Sequence, residues 1–137
     1  MISISMKTQI NAPAADVWAV ISDFNALPKY VAAAVESKVD GEGIGAVRTL
    51  TLPDGALLQE RLEQLDTDEM FLQYSIVDGP LPVADYLSTM KLTAAEEGCE
   101  LEWSGDFNAA GASDEDARET MAGIYQMGFD GLAKLFA

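Results

Sequence analysis

SDEDARETMAGIYQMGFDGLAKLF, residues 113–136, is the stretch whose reading decides the fold. It opens on Ser113, whose hydroxyl suits the N-cap, and continues with Asp114, Glu115 and Asp116 where the positive pole of a helix lies. Lys134 complements the opposite pole. Ala117, Thr120, Met121, Ile124, Gly128 and Leu132 fall close to one stripe at helical spacing, so the segment predicts a long helix with one face made for a sheet. Gly123, Gly128 and Gly131 each cost roughly 1 kcal/mol against Ala inside a helix. Either the helix packs closely at these points or they leave room for a ligand.

Upstream the pattern changes period. Residues 2–10, ISISMKTQI, alternate as a strand does, and the turn NAP leads into a short helix over about residues 14–22, with Trp18 and Ile21 facing the core. In DFNALPKYV, residues 23–31, the proline interrupts regular helix and predicts a second, shorter helical turn. Strands follow at about residues 32–40, 46–52, 56–65, 69–77, 84–94 and 99–108, separated by GEGIG, PDG, TDE, DGPLP and EEG. Such an order predicts an α+β fold in one domain over residues 1–137, a seven-stranded antiparallel sheet curved around the C-terminal helix.

Composition narrows the function. With 49% hydrophobic residues the chain can bury a core or wrap a cavity. A formal charge of −15, with eight Lys and Arg, argues against nucleic acid and anionic membrane surfaces as partners. No apolar run is long enough to span or insert into a membrane and no leader pattern opens the chain, so a cytoplasmic protein is expected. Monomer and homodimer both remain open. Cys99 stands alone and no histidine exists, which removes Ser-His and Cys-His nucleophiles and any plausible zinc set. No metal and no cofactor is expected. GEGIG reads as lying between strands rather than opening a helix, so it lacks the dinucleotide-binding context and reads as a mobile turn at a cavity mouth.

The most informative strand is ALLQERLEQLD, residues 56–66, where Leu58, Glu60 and Leu62 share one face. A carboxylate thus falls in step with leucines. Either Glu60 faces a cavity, or it has a structural role such as an edge position or a salt bridge with Arg48. Alternation likewise gathers Leu72, Tyr74 and Ile76 on one strand, and Tyr86, Ser88, Met90 and Leu92 on the next. For Tyr74 and Tyr86, core packing is as good a reading as ligand contact. Met121, Ile124 and Met127 read as core or cavity wall.

INAPAADVWAVISDFNALPKY at 10–30, ERLEQLD at 60–66, YSIVDGPLPVADYLS at 74–88 and LEW at 101–103 resemble the Bet v 1-like, or START-like, superfamily. Within it the likeness is to the polyketide cyclase/dehydrase branch and to the plant abscisic acid receptors, over essentially the whole chain. The resemblance implies a helix-grip fold with an apolar cavity. It implies ligand-facing positions at Glu60, Tyr74, Ile76, Tyr86, Ser88, Glu102, Thr120, Ile124 and Gly128, and Tyr30, Leu62 and Met121 join them as candidate ligand-binding residues. At Glu102 the two approaches conflict, because alternation places Leu101, Trp103 and Phe107 inward instead.

The receptor likeness stops at hormone sensing. Val31 replaces the lysine that meets the hormone's carboxylate, TLPDGA at 51–56 replaces the gate loop, and GPLPVAD at 79–85 lacks the latch triplet. Abscisic acid is therefore rejected as ligand. Two functions compete: binding of a small, neutral, mostly apolar or aromatic molecule as carrier or sensor, and catalysis of cyclase or dehydratase type with Glu60, aided by Tyr86, as general acid or base. A chaperone-like interaction protein is the third.

Overall fold

The computed structural model describes residues 1–137. Its strands are β1 (Ile2–Ile10), β2 (Glu36–Asp40), β3 (Val47–Thr51), β4 (Leu57–Asp66), β5 (Phe71–Asp78), β6 (Val83–Ala94) and β7 (Cys99–Ala109); its helices are α1 (Ala14–Ile21) and α2 (Asp114–Leu135). The seven strands form one antiparallel sheet in the order β1-β7-β6-β5-β4-β3-β2. This is the expected helix-grip arrangement, with two corrections. Of the two short helices predicted between β1 and β2, the second is only a 3-10 turn at Leu27–Lys29, with Pro28 in its first turn, where its missing N–H costs nothing. The next strand also starts later than predicted, at Glu36.

Curvature has local causes. Register shifts interrupt β4 against β5 at Gln59/Glu60 and at Leu62/Gln64, and β6 against β7 between Ala84 and Leu87. Each places an extra residue in one strand and bends it. At the β6 shift Asp85 adopts φ +53°, with its Oδ2 accepting from Asn108 Nδ2 at 3.2 Å. This bulge immediately precedes Tyr86, whose side chain is buried on the concave face.

Across that face lies α2, capped as predicted: Ser113 Oγ accepts from Asp116 N at 3.1 Å. Its buried stripe is Ala117, Met121, Tyr125, Gly128, Phe129 and Leu132. Compared with the expected stripe, the helix is rotated so that Tyr125 and Phe129 enter the core, while Thr120 turns back to donate to Asp116 O at 2.9 Å. Two of the three helix glycines are explained by close packing. A Cβ on Gly128 would fall 2.4 Å from the Trp103 ring, and one on Gly131 would fall 1.8 Å from the Tyr30 carbonyl oxygen. Neither is room for a ligand, and Gly123 faces open space.

Candidate functional site

Between sheet and α2 lies a cavity of about 300 Å³. Thirteen of its sixteen lining residues are hydrophobic. Val31, Leu50 and Leu58 wall one side, Tyr74, Tyr86 and Trp103 another, and Met121 and Ile124 come from α2. Pro53 and Asp54 also line it yet are exposed, so the turn between β3 and β4 forms its mouth, together with the half-buried Leu52 and Leu81. GEGIG does not line this cavity; Gly41, Glu42 and Gly43 border a separate groove near Leu65.

Glu60 lines the cavity and is 5% exposed. Directly opposite on β3 stands Arg48, 3% exposed, with Nε 2.8 Å and Nη2 2.7 Å from Glu60 Oε1. The sequence left a cavity-facing and a salt-bridged Glu60 as alternatives; both hold at once. Arg48 is fixed further by donating to the Phe24 carbonyl at 3.2 Å and by lying 4.0 Å from the centroid of the Phe24 ring and 4.9 Å from that of Tyr74. Burial holds the Glu60 carboxyl above the ordinary carboxylate value, with the adjacent guanidinium acting in the opposite direction. Protonating Glu60 alone would leave a buried guanidinium without a counter-charge, which favours the ionised pair. Arg48, which the sequence offered as the alternative partner of Glu60, carries the same signal, since it falls in step with Ala46 and Leu50, both buried.

A second polar cluster lies deeper. Trp103 Nε1 donates to Ser88 Oγ at 3.0 Å and to Tyr74 Oη at 3.2 Å; Ser88 Oγ donates to the Ser104 carbonyl at 2.8 Å. The hydroxyls of Tyr86 and Tyr125 are hydrogen-bonded to each other, and that of Tyr125 also reaches Ser88 Oγ at 3.3 Å. Tyr125 is the member that sequence reasoning missed. The signal was available, because Tyr125 stands at i+4 from Met121 and i−3 from Gly128, both on the expected stripe.

Of the twelve predicted site residues, Glu60, Tyr74, Tyr86, Met121 and Ile124 line the cavity. Tyr30 is buried beside it but borders an outer groove against α2; Leu62 is core opposite Tyr74; Ile76 sits opposite Glu60 at the rim of another groove. Ser88 belongs to the deeper cluster, Thr120 caps its own helix turn, and Gly128 is filled by Trp103. Glu102 is on the convex face, accepting from Ser5 Oγ at 2.9 Å, so alternation was right there and the family-based placement is corrected. No group of three or more His, Cys, Asp or Glu is arranged to hold a metal ion, and no helix is long and apolar enough to cross a membrane.

All four tyrosines are buried. Burial holds their hydroxyls above the ordinary value, Tyr125 at about 12. Because the folded values are raised, this stabilisation is complete below the unfolded value of about 10 and is lost as pH rises through the folded values. Tyrosinate absorbance is therefore expected to stay flat above pH 10 and then rise together with loss of the circular dichroism signal. Tyrosine ionisation well before unfolding would show that these hydroxyls are reached by water.

The fold agrees with the comparisons. The family described as polyketide cyclase / dehydrase and lipid transport matches residues 1–137, and the chain belongs to it. MLP-like protein 423 of Arabidopsis thaliana is 29% identical over 118 residues, 76% of this chain and 74% of the relative. The abscisic acid receptor PYL6 of the same plant is 30% identical over 94 residues, which are 64% of this chain but only 44% of the receptor. Among solved structures, XoxI of Bacillus cereus superposes with a TM-score of 0.93 at 35% identity, covering 99% of this chain and 96% of that one.

Proposed function

We propose that this protein is a binding module that encloses a small, neutral, mostly apolar or aromatic molecule as carrier or sensor. The observation that carries this reading is the cavity itself: about 300 Å³, mostly apolar walls, and a carboxylate already neutralised by an arginine outside the lining. That volume is at the lower end of the range of about 300–1,000 Å³ for small-molecule sites. The sequence argued for a neutral ligand because Val31 removes a lysine. The structure supplies a different reason, since a cation is present but committed to Glu60.

Mass spectrometry of molecules released from the purified native protein is expected to find a small apolar species, which raises the melting temperature when added back. A protein that retains nothing, and whose melting temperature no aromatic probe raises, would overturn this reading.

The family description also names cyclase and dehydrase chemistry, and one observation favours it: Glu60 and Tyr86 both reach the cavity. An ionised Glu60 would serve as base, and the Tyr86 hydroxyl, which burial holds well above its ordinary value, would aid it by donating a hydrogen bond rather than by giving up its proton. On that reading Glu60→Gln abolishes turnover of a polyketide-like substrate, by 100-fold or more given about 10²–10⁴ for one acid–base group, while leaving its affinity within a few-fold. On the binding reading no turnover is found with either protein.

A further inference from the structure

Arg48 and Glu60 are cross-strand partners, yet only Glu60 borders the cavity. The guanidinium stands behind it, held by the Phe24 carbonyl and flanked by the Phe24 and Tyr74 rings. Its shortest contacts converge on Oε1, and no donor other than Arg48 reaches the carboxylate. A carboxylate offers about four lone-pair positions. Acceptor capacity therefore remains on Oε2.

Three ligand classes would meet this arrangement differently. An ammonium group would lose its hydration while the attraction of Glu60 is already offset by Arg48. A carboxylate would meet the anionic partner first, and Asp54 stands at the mouth. An uncharged O–H loses little on entering and donates a charge-assisted bond to Glu60.

Resting on the binding reading above, we propose that Arg48 is the specificity-determining residue of the cavity: by neutralising Glu60 from behind, it excludes ionic ligands and selects an uncharged alcohol or phenol that donates to Glu60 Oε2. Arg48 thereby sets the ligand's charge class without touching the ligand.

Equilibrium dialysis of the full chain against naphthalene, naphthol, naphthoate and naphthylmethylammonium, all substituted at the same ring carbon, tests this. Naphthol is expected to bind about tenfold tighter than naphthalene or better, as a hydrogen bond to a charged group provides, and both ions weaker than naphthalene. In Arg48→Met the ammonium probe becomes the tightest, and in Glu60→Gln the carboxylate probe does. The double variant Arg48→Met/Glu60→Leu binds naphthol and naphthalene alike; it decides the matter where the single variant does not fold. Equal affinity of the native protein for naphthol and naphthalene, or an unchanged probe order in the variants, would overturn the inference while leaving the binding reading intact. Failure of every probe to bind would overturn both.

Discussion

Arg48→Met is expected to lower stability by about 3–5 kcal/mol, while Arg48→Met with Glu60→Leu lowers it by far less or raises it. The asymmetry follows from burial. Removing one partner leaves Glu60 charged at 5% exposure with no donor within reach, whereas removing both leaves an apolar contact between β3 and β4. The single variant carries a further signature in pH. An unpaired buried Glu60 has its folded pKa raised above the unfolded value, so the native state binds the extra proton and the penalty is relieved as pH falls. Urea denaturation at pH 5 and pH 8 measures both effects. Arg48→Met should be closer to the native protein at the lower pH, and equal losses in the single and double variants would show that the pair is not desolvated.

Trp103→Ala is expected to cost about 3–5 kcal/mol, the usual range for deleting a buried aromatic. Trp103 is 1% exposed and stacks on Tyr125 with ring centroids 4.6 Å apart. It also abuts Gly128 of α2, so its loss opens the sheet-to-helix seam. Because Trp103 forms part of the cavity wall, the same substitution enlarges the cavity. Trp103→Phe retains most of the apolar contact but removes the donor shared by Ser88 and Tyr74. The difference between the two variants in denaturant midpoint separates packing from hydrogen bonding. A loss below about 1 kcal/mol in Trp103→Ala would mean that the core closes over the gap without strain.

The site was partly legible in the sequence, and the divisions are physical. Glu60 could be placed inward because a strand's side chains alternate strictly, so Leu58 and Leu62 fix the face of the residue between them. The same rule placed Trp103 inward and Glu102 outward, against the family likeness. A helix gives a weaker signal. Thr120, Ile124 and Tyr125 all lie near the edge of a plausible apolar stripe, and a modest rotation exchanges one for another at the core. The rotation observed puts Tyr125 and Phe129 against the sheet, where Gly128 admits the Trp103 ring.

By itself the sequence determined the strand and helix order, the capped C-terminal helix and the single antiparallel sheet, and it set Glu60 in step with Leu58 and Leu62. Each of these rests on periodicity or turn chemistry within a few neighbouring residues. For that carboxylate the sequence offered Arg48 as one alternative, and the tertiary structure decided it. Arg48 lies 12 residues away in the chain, and the register of β3 against β4 sets it opposite Glu60. The mouth of the cavity was likewise decided by how the sheet bends, which brings the turn at Pro53 and Asp54, and not GEGIG, over the opening. Register and curvature are sums over the whole sheet, including its three shifts, and no local stretch of sequence contains them.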